Sequence, residues 1–513
     1  MTRLFERLPP DLSCIRRART GLLLALVAAA LLRFWGLPHG IPFSVGVDEP
    51  EIMDRAVRMM KTGDFNPHFY DYPSLYIYVQ VIVAIARFIT GAAAGRWASL
   101  AQASTFDFYV WGRAVTAIMG TATVWLVYNA GLRWGHRTAV LAAAVMSVMP
   151  MHVRESHYVL TDVPATFLVT LTLLLSLRAS ERPRMRSFVL AGVAAGLATA
   201  TKYNGVLAIT MPLIACVMTP STAIARLHAV LAALAACVAA FFVAAPYTLL
   251  DLPTFLNQFA HLSSQFRNQT VIGSIPVIYL KHLRNAFHWP SSLLVLVGLG
   301  LGIARAGAGP ERLKWMLAIA FPLLYFWFIS YQHIVFGRYL LPVIPFLALL
   351  AAAAVVWIIN RVPRSRVPRG LRPAMAAGLM LLAVVPVSID AVRFDADLSR
   401  TWTTEMAYQW VLTNVPAGTS ITIESRNLLL PPSYKSSNVP QLRIHSAAEY
   451  AASGVDYLVA SSQSYGAFTA DPHRYPDEYR DYAQVFRETQ EVARFIPSAE
   501  HPGPELRVLK VMR

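Results

Sequence analysis

Apolar stretches of membrane length recur along this chain, and nothing constrains a backbone more than having to cross lipid. In hydrocarbon every N–H and C=O must find its partner inside the protein, so each such stretch has to be a helix. Composition agrees. Of 513 residues 56% are hydrophobic and only 14% charged, the profile of a polytopic α-helical membrane protein.

The few charges are unevenly placed. Residues 1–390 hold 33 of the 45 Lys and Arg but 15 of the 29 Asp and Glu, and the remainder of the chain is close to neutral. The cations gather in segments 1–19, Arg133 to Arg137, Arg178 to Arg186, Arg305 to Lys314 and Arg361 to Arg372. Such clusters favour cytoplasmic loops, so the basic excess reports topology and not nucleic-acid binding. Placing all five inside, with Arg226 at one more inner turn, gives about 11 crossings. They fall near 19–37, 108–130, 138–150, 162–178, 187–201, 205–219, 228–247, 291–305, 315–331, 340–360 and 373–390. The first, behind Arg16, Arg17 and Arg19, reads as an uncleaved span, because no small-residue cleavage site precedes Asp48 and many spans follow. Residues 74–95 are also apolar enough to cross, but a single crossing there would invert every later loop. The expectation is therefore a re-entrant or interfacial segment, with Arg87 at its edge; a true crossing offset by a further helix is the rival.

This topology divides the chain into a transmembrane domain at 1–392, with a first outer loop at 39–107 carrying juxtamembrane helices, and a small α/β domain at 393–513 outside. In the tail a helix is expected over Thr403–Leu412 and a turn at Pro416-Ala417-Gly418. Strands are expected at Ser420–Glu424, Tyr457–Ala460 and Leu506–Val511. Cys14, Cys216 and Cys237 form no disulfide framework and no C-x-x-C metal pattern. No Walker A or G-x-G-x-x-G run occurs, which argues against an ATP-driven pump.

On this topology the unusual polar residues share the outer face. Asp48 and Glu49 directly follow the first span. They suit the start of a surface helix at Pro50–Lys61 through its dipole, and equally a general base at the mouth of a bundle. The run Asn66 to Tyr76, with His68 and Tyr72, is either an interfacial aromatic belt or a surface for stacking a sugar or an isoprenoid. Met151 to Tyr158, with His152, Arg154 and His157, leads into Asp162 at the start of a span. Asp162 alone would serve as a helix cap. His152, His157 and Asp162 together could ligate a divalent metal, though their spacing is not diagnostic. Lys202, before Tyr203, ends an Ala/Gly-rich helix on the side where cations are disfavoured; snorkelling or an anionic partner would account for it. Arg338, between His333 and Tyr339, offers a planar fork for phosphate or a partner for one of the acids.

At these residues the chain resembles the GT-C superfamily of membrane glycosyltransferases. It is most similar to the branch of protein O-mannosyltransferases, lipid A aminoarabinose transferases and bacterial lipopolysaccharide transferases. The resemblance runs through Asp48-Glu49, Tyr72-Pro73-Ser74-Leu75, Arg113 before Gly120, Pro150 to Asp162, Lys202-Tyr203, and Arg338-Tyr339 with Pro342 and Pro345. It departs from the protein mannosyltransferases, which carry His-Pro-Pro where this chain has Tyr72-Pro73-Ser74. It departs from the aminoarabinose enzymes in lacking a lysine beside that turn.

The resemblance implies transfer of a sugar from a polyprenyl-phosphate donor to a glycan, lipid or protein acceptor at the outer face of the cytoplasmic membrane. No nucleotide takes part and no cofactor is required, a divalent metal remaining an open alternative. Asp48 maps to the catalytic base and Glu49 to its assistant; Arg113, Lys202 and Arg338 map to donor-phosphate contacts. His68, Tyr72, Arg154 and His157, with Asp162, Tyr203, His333 and Tyr339, are the candidate substrate contacts. Membrane lipids are the other expected partner, and nucleic acid is not one. A transporter or flippase for a lipid-linked sugar is the alternative, although transporters place their sites at the midplane of repeated halves and no such repeat is visible.

Overall fold

The computed structural model describes residues 12–46, 48–269, 271, 273–362, 368, 371–424 and 428–512. The basic stretch before residue 12 and Arg364, Arg366 and Arg369 of the last basic loop lie outside the described residues. The chain forms two compact units. One comprises residues up to Leu37 and Ile52–Asp395, the other Pro38–Glu51 and Ala396–Arg513.

The first unit is a helical bundle. Its chain begins with α1 (Leu12–Phe34) and continues, beyond the excursion through the second unit, with the amphipathic α2 (Pro50–Thr62). Then come α3 (Leu75–Ala93), α4 (Phe106–Gly131), α5 (His136–Ser147), the short α6 (Pro150–Glu155), α7 (Asp162–Glu181) and α8 (Met185–Thr201). A 3-10 turn, Tyr203–Ile209, leads to α9 (Thr210–Met218) and α10 (Ala223–Ala244). The short α11 (Tyr247–Leu250) and amphipathic α12 (Leu252–Asn268) precede α13 (Ile275–Gly307), α14 (Arg312–Ile329), a second 3-10 turn at Gly337–Val343, α15 (Ile344–Arg361) and α16 (Leu371–Leu398).

Every expected crossing folds as helix. Among the described residues eight helices are long and apolar enough to span a membrane, fewer than the eleven crossings expected because several of the other helices are short. One of the eight is Leu75–Ala93. It is a single unbroken helix about 28 Å long, without the break that a re-entrant hairpin needs, a form that an interfacial helix and a crossing share. Helix α13 bends at His288, whose φ of 56° is non-helical and which lies just before Pro290. Its apolar half past the bend is the expected 291–305 span.

Close packing depends on glycine at one crossing. A Cβ on Gly192 would lie 2.3 Å from the Ala233 carbonyl oxygen, and one on Gly196 would lie 2.2 Å from that of Cys237. One turn apart on α8, the two glycines let its backbone meet that of α10, the small-xxx-small contact of membrane helices. Gly196→Leu is expected to push these helices apart and to destabilise by about 1–3 kcal/mol, read as a lower thermal transition in detergent.

In the second unit, after α17 (Thr403–Asn414), come β1 (Ser420–Glu424), β2 (Lys435–Val439), α18 (Ala447–Ala452) and β3 (Tyr457–Ser461). The helices α19 (Ser462–Ala470) and α20 (Pro476–Glu488) precede β4 (Thr489–Phe495) and β5 (Leu506–Val511). The sheet order is β2-β1-β3-β5-β4, with β1 parallel to β2 and β3, and β5 antiparallel to β3 and β4. The three expected strands are the three central ones. Residues 38–51 join this unit: Leu429 N–H donates to the Phe43 carbonyl at 2.9 Å, and the Phe43 ring meets Tyr408 edge-on at 4.8 Å.

Glu424, fully buried at the end of β1, ties the tail together. Its carboxylate accepts from Leu442 N (2.8 Å), Ser461 N (2.8 Å) and the Tyr482 hydroxyl (2.6 Å). Burial raises its pKa, opposed by those three hydrogen bonds. Three donors converge on two acceptor oxygens, so the Glu424→Gln amide would set an N–H against one of them. The expected cost is about 1–3 kcal/mol, checked by thermal unfolding of the full chain.

Candidate active site

Asp162 opens α7 and is 3% exposed. Its Oδ1 accepts from Lys202 Nζ at 2.5 Å, and its Oδ2 lies 3.8 Å from Arg338 Nε. The chain brings these residues together by ending or opening helices at one place. Lys202 adopts an extended conformation just past α8, and Arg338 lies in the 3-10 turn ahead of α15. Lys202 Nζ is 4.5 Å from the centre of the Tyr339 ring, and the Arg338 guanidinium is 4.7 Å from that of Phe336. Aromatic faces thus flank both cations.

A second ion pair adjoins the first. Arg154, half exposed, donates to Glu155 Oε1 at 2.5 and 2.9 Å, while Glu155 is buried. Glu155 feels Asp162 and Arg338, and Lys202 feels Glu155 and Arg338. The five groups act as one electrostatic unit of three cations and two carboxylates. Burial pulls Lys202 below the usual lysine range, opposed by Asp162. Burial pushes Glu155 up, opposed by Arg154. A cluster with one excess positive charge and aromatic flanks suits an anion attached to an apolar chain.

The surrounding wall is tyrosine-rich. The Tyr203 hydroxyl donates to the Tyr70 carbonyl at 2.8 Å, and the Asn204 amide donates to the buried Tyr325 hydroxyl at 2.6 Å. His282 on α13 borders Gly337, where a Cβ would lie 3.2 Å from its Nδ1, and Arg154 depresses it further after burial. His282 was invisible in the sequence, because it lies in no motif and reaches the cluster only through the fold. Glu155 was visible in the charged run but carried no assigned role.

Other expected site residues lie elsewhere. His68, at a positive φ of 49°, pairs with Asp64 at 2.9 Å on the surface, and the Tyr72 ring lies tilted to that of Phe69 with centroids 5.9 Å apart. His333 Nδ1–H donates to the Gln269 carbonyl (3.0 Å), and the residue borders an open cavity of about 540 Å³ with Arg267 and Ser330. Arg113 is fully buried, with Nη1 on the Leu37 carbonyl at 2.8 Å. His152 takes Arg33 Nη2 at 3.1 Å, and the two His157 nitrogens meet the Val153 and Trp35 carbonyls at 2.9 Å. Among the described residues no three His, Cys, Asp or Glu side chains group so that they could hold a metal ion.

Asp48 and Glu49 belong to the second unit. Glu49 is fully buried, its Oε2 accepting from Gly46 N at 2.7 Å. Asp48 is partly exposed, and its carbonyl accepts from Glu51 N at 3.2 Å at the entry to α2.

A family model described as dolichyl-phosphate-mannose-protein mannosyltransferase matches residues 67–263. That range includes Arg154, Asp162 and Lys202 but neither Asp48 nor Arg338. No curated protein matches the chain in sequence. The oligosaccharyltransferase of Archaeoglobus fulgidus in its apo form superposes with a TM-score of 0.59 at 14% identity, over 92% of this chain and 73% of that one. ArnT from Cupriavidus metallidurans, bound to undecaprenyl phosphate, gives 0.57 at 17% identity, over 96% and 98%. At these identities the likeness is one of fold, which the chain shares with these two structures. A second Archaeoglobus fulgidus structure, AglB with an inhibitory peptide and a dolichol-phosphate, superposes with a TM-score of 0.58 at 13% identity, over 96% and 74%. The transporter alternative finds no support in this fold.

Proposed function

We propose that the chain transfers a sugar from a polyprenyl-phosphate donor to a hydroxyl of a lipid, glycan or protein, at the outer face of the cytoplasmic membrane. The observation that carries this reading is the Asp162-centred cluster, in which one carboxylate orients Lys202 and Arg338 while Arg154 adds a third cation. Displacement at an anomeric carbon needs a stabilised leaving phosphate, and preorganised cations meet that need at no reorganisation cost. Each such contact is worth roughly 3–4 kcal/mol of barrier. The tyrosines beside it suit the first isoprene units.

The acceptor hydroxyl needs a base as attack begins. Asp48 fills that role by the resemblance above, and a single in-line attack inverts the anomeric configuration. Phosphate-binding cations make a metal unnecessary, so turnover is expected to survive EDTA; loss restored by a divalent ion would reverse that point. The test of the whole reading is purified protein with a panel of polyprenyl-phosphate sugars and, separately, nucleotide sugars. Release of polyprenyl phosphate with a glycosylated product supports it. Transfer from nucleotide sugars alone, or no turnover with any donor, overturns it.

A further inference from the structure

Beside the Asp162 cluster, the Tyr279 hydroxyl and Asn204 Oδ1 are buried polar atoms with no hydrogen-bond partner among the described residues. Tyr279 is fully buried near the start of α13, its ring edge-on to Phe326 of α14 at 6.4 Å. His282, three residues on and so on the same helix face, borders Gly337. Asn204 lies two residues after Lys202, and its Nδ2 donates to the Tyr325 hydroxyl. The polar ends converge. Tyr325 feels Asp162, Tyr279 and Tyr339, and the Tyr339 ring carries Lys202 Nζ at 4.5 Å from its centre.

A buried donor or acceptor without a partner forfeits its hydration and gains nothing in return. In a native structure it calls for a water, an ion or a ligand. A cation is disfavoured beside Arg154, Lys202 and Arg338. A phosphate oxygen only accepts, so it cannot serve the Asn204 carbonyl oxygen. A hydroxyl both donates and accepts. It serves a phenol, and it serves a carboxamide whichever end of the amide faces it. Tyr203 differs from Tyr279 here, because its hydroxyl is already given to the Tyr70 carbonyl and it offers a passing chain only its ring.

We propose that Tyr279 and Asn204 hydrogen-bond the hydroxyls of the donor's sugar and so decide which sugar is transferred. This rests on the reading of the Asp162 cluster as the donor-phosphate site. In a glycosyl phosphate one oxygen separates the ring from phosphorus, so groups that read ring hydroxyls must adjoin the cations that hold the phosphate. Asn204 does so along the backbone from Lys202, and Tyr279 lies in the field of Tyr339. A site built to bond a substrate hydroxyl rejects the analogue that lacks it far more strongly than an apolar pocket rejects a missing methylene. Tyrosine at 279 thus serves discrimination, at a cost in stability that phenylalanine would avoid.

The test uses the full-length protein in detergent as wild type, Tyr279→Phe, Asn204→Ala and Lys202→Met. Three quantities are read: affinity for polyprenyl phosphate that carries no sugar, melting temperature, and kcat/KM for the preferred polyprenyl-phosphate sugar against its monodeoxy analogues. Wild type is expected to reject at least one analogue by ~10²-fold or more. Tyr279→Phe should shrink that ratio by ~10-fold or more, losing rate with the parent sugar and little with the analogue. Its affinity for bare polyprenyl phosphate should stay at the wild-type value, whereas that of Lys202→Met should fall. Its melting temperature should be equal or higher, since the lost hydroxyl had no partner. Asn204→Ala gives up the bond to Tyr325 and should melt lower, yet show the same loss of discrimination; it decides the matter if Tyr279→Phe does not fold. A lower melting temperature in Tyr279→Phe with discrimination intact would assign the hydroxyl to packing or an internal water, and overturns the inference. An affinity of Tyr279→Phe for bare polyprenyl phosphate as low as that of Lys202→Met overturns it too, by putting the hydroxyl on the phosphate. A wild type that binds no polyprenyl phosphate overturns the reading of the cluster itself, and the inference with it.

Discussion

Asp48→Asn is expected to lower turnover by ~10²–10⁴-fold, the contribution of a positioned general base, with yield and thermal stability little changed. The substitution keeps the volume and the backbone. The Asp48 carbonyl that receives Glu51 N–H at the entry to α2 is untouched, and a partly exposed amide carries little desolvation cost. What disappears is basicity. Its neighbour makes the control. Glu49 is buried and its carboxylate binds the Gly46 N–H, so Glu49→Ala should register first as lost stability, about 1–2 kcal/mol. Single-turnover assays with excess protein, set beside melting curves, separate the two. Near-normal turnover in Asp48→Asn would take the base away from this residue. The adjacent pair thus makes a direct comparison, between a carboxylate bound to the Gly46 N–H and the one that the resemblance makes the base.

Much of this was legible before the fold was known, and the exceptions share a cause. Spans were readable because hydropathy is a local property, and β1, β3 and β5 because buried strands are runs of apolar residues. The edge strand β2, Lys-Ser-Ser-Asn-Val with its first four residues exposed, has no buried face to leave a pattern. Strand β4 is interrupted by a bulge between Glu491 and Ala493. Asp162, Lys202 and Arg338 stood out as charges at the ends of apolar helices. Arg33 did not, being a lone charge averaged into a hydrophobic span, nor did Asp395, one of several charges past the last span; their nearness is a property of the bundle. Arg113 and His157 were picked out correctly as unusual. Arg113 was expected at the donor phosphate and His157 at the substrate; the bonds described for them reach the carbonyls of Leu37 and Trp35. Sequence can show that a buried cation needs an anion or a carbonyl; it takes the packing to show which one it has.

Asp162→Ala should be the most destabilising single change at the candidate site, at about 3–5 kcal/mol, because it leaves the buried Lys202 cation without its carboxylate. Lys202→Met alone should cost less, since Arg338 remains 3.8 Å from the Asp162 carboxylate. In the double variant Asp162→Asn with Lys202→Met neither buried charge is left, and the two effects should not add: residues in contact couple by about 0.5–3 kcal/mol, here in the direction of recovered stability. Function should not recover with it. With no ammonium to meet the leaving phosphate, donor turnover is expected to stay ~10²–10³-fold below wild type, the loss seen when one oxyanion-stabilising donor is removed. A double variant that is both stable and fully active would make the Asp162–Lys202 pair a device of packing alone and would leave Arg338 and Arg154 to hold the phosphate. A stable but inactive one would show that a buried ion pair, expensive as a stabilising element, is kept here for the cation that it presents.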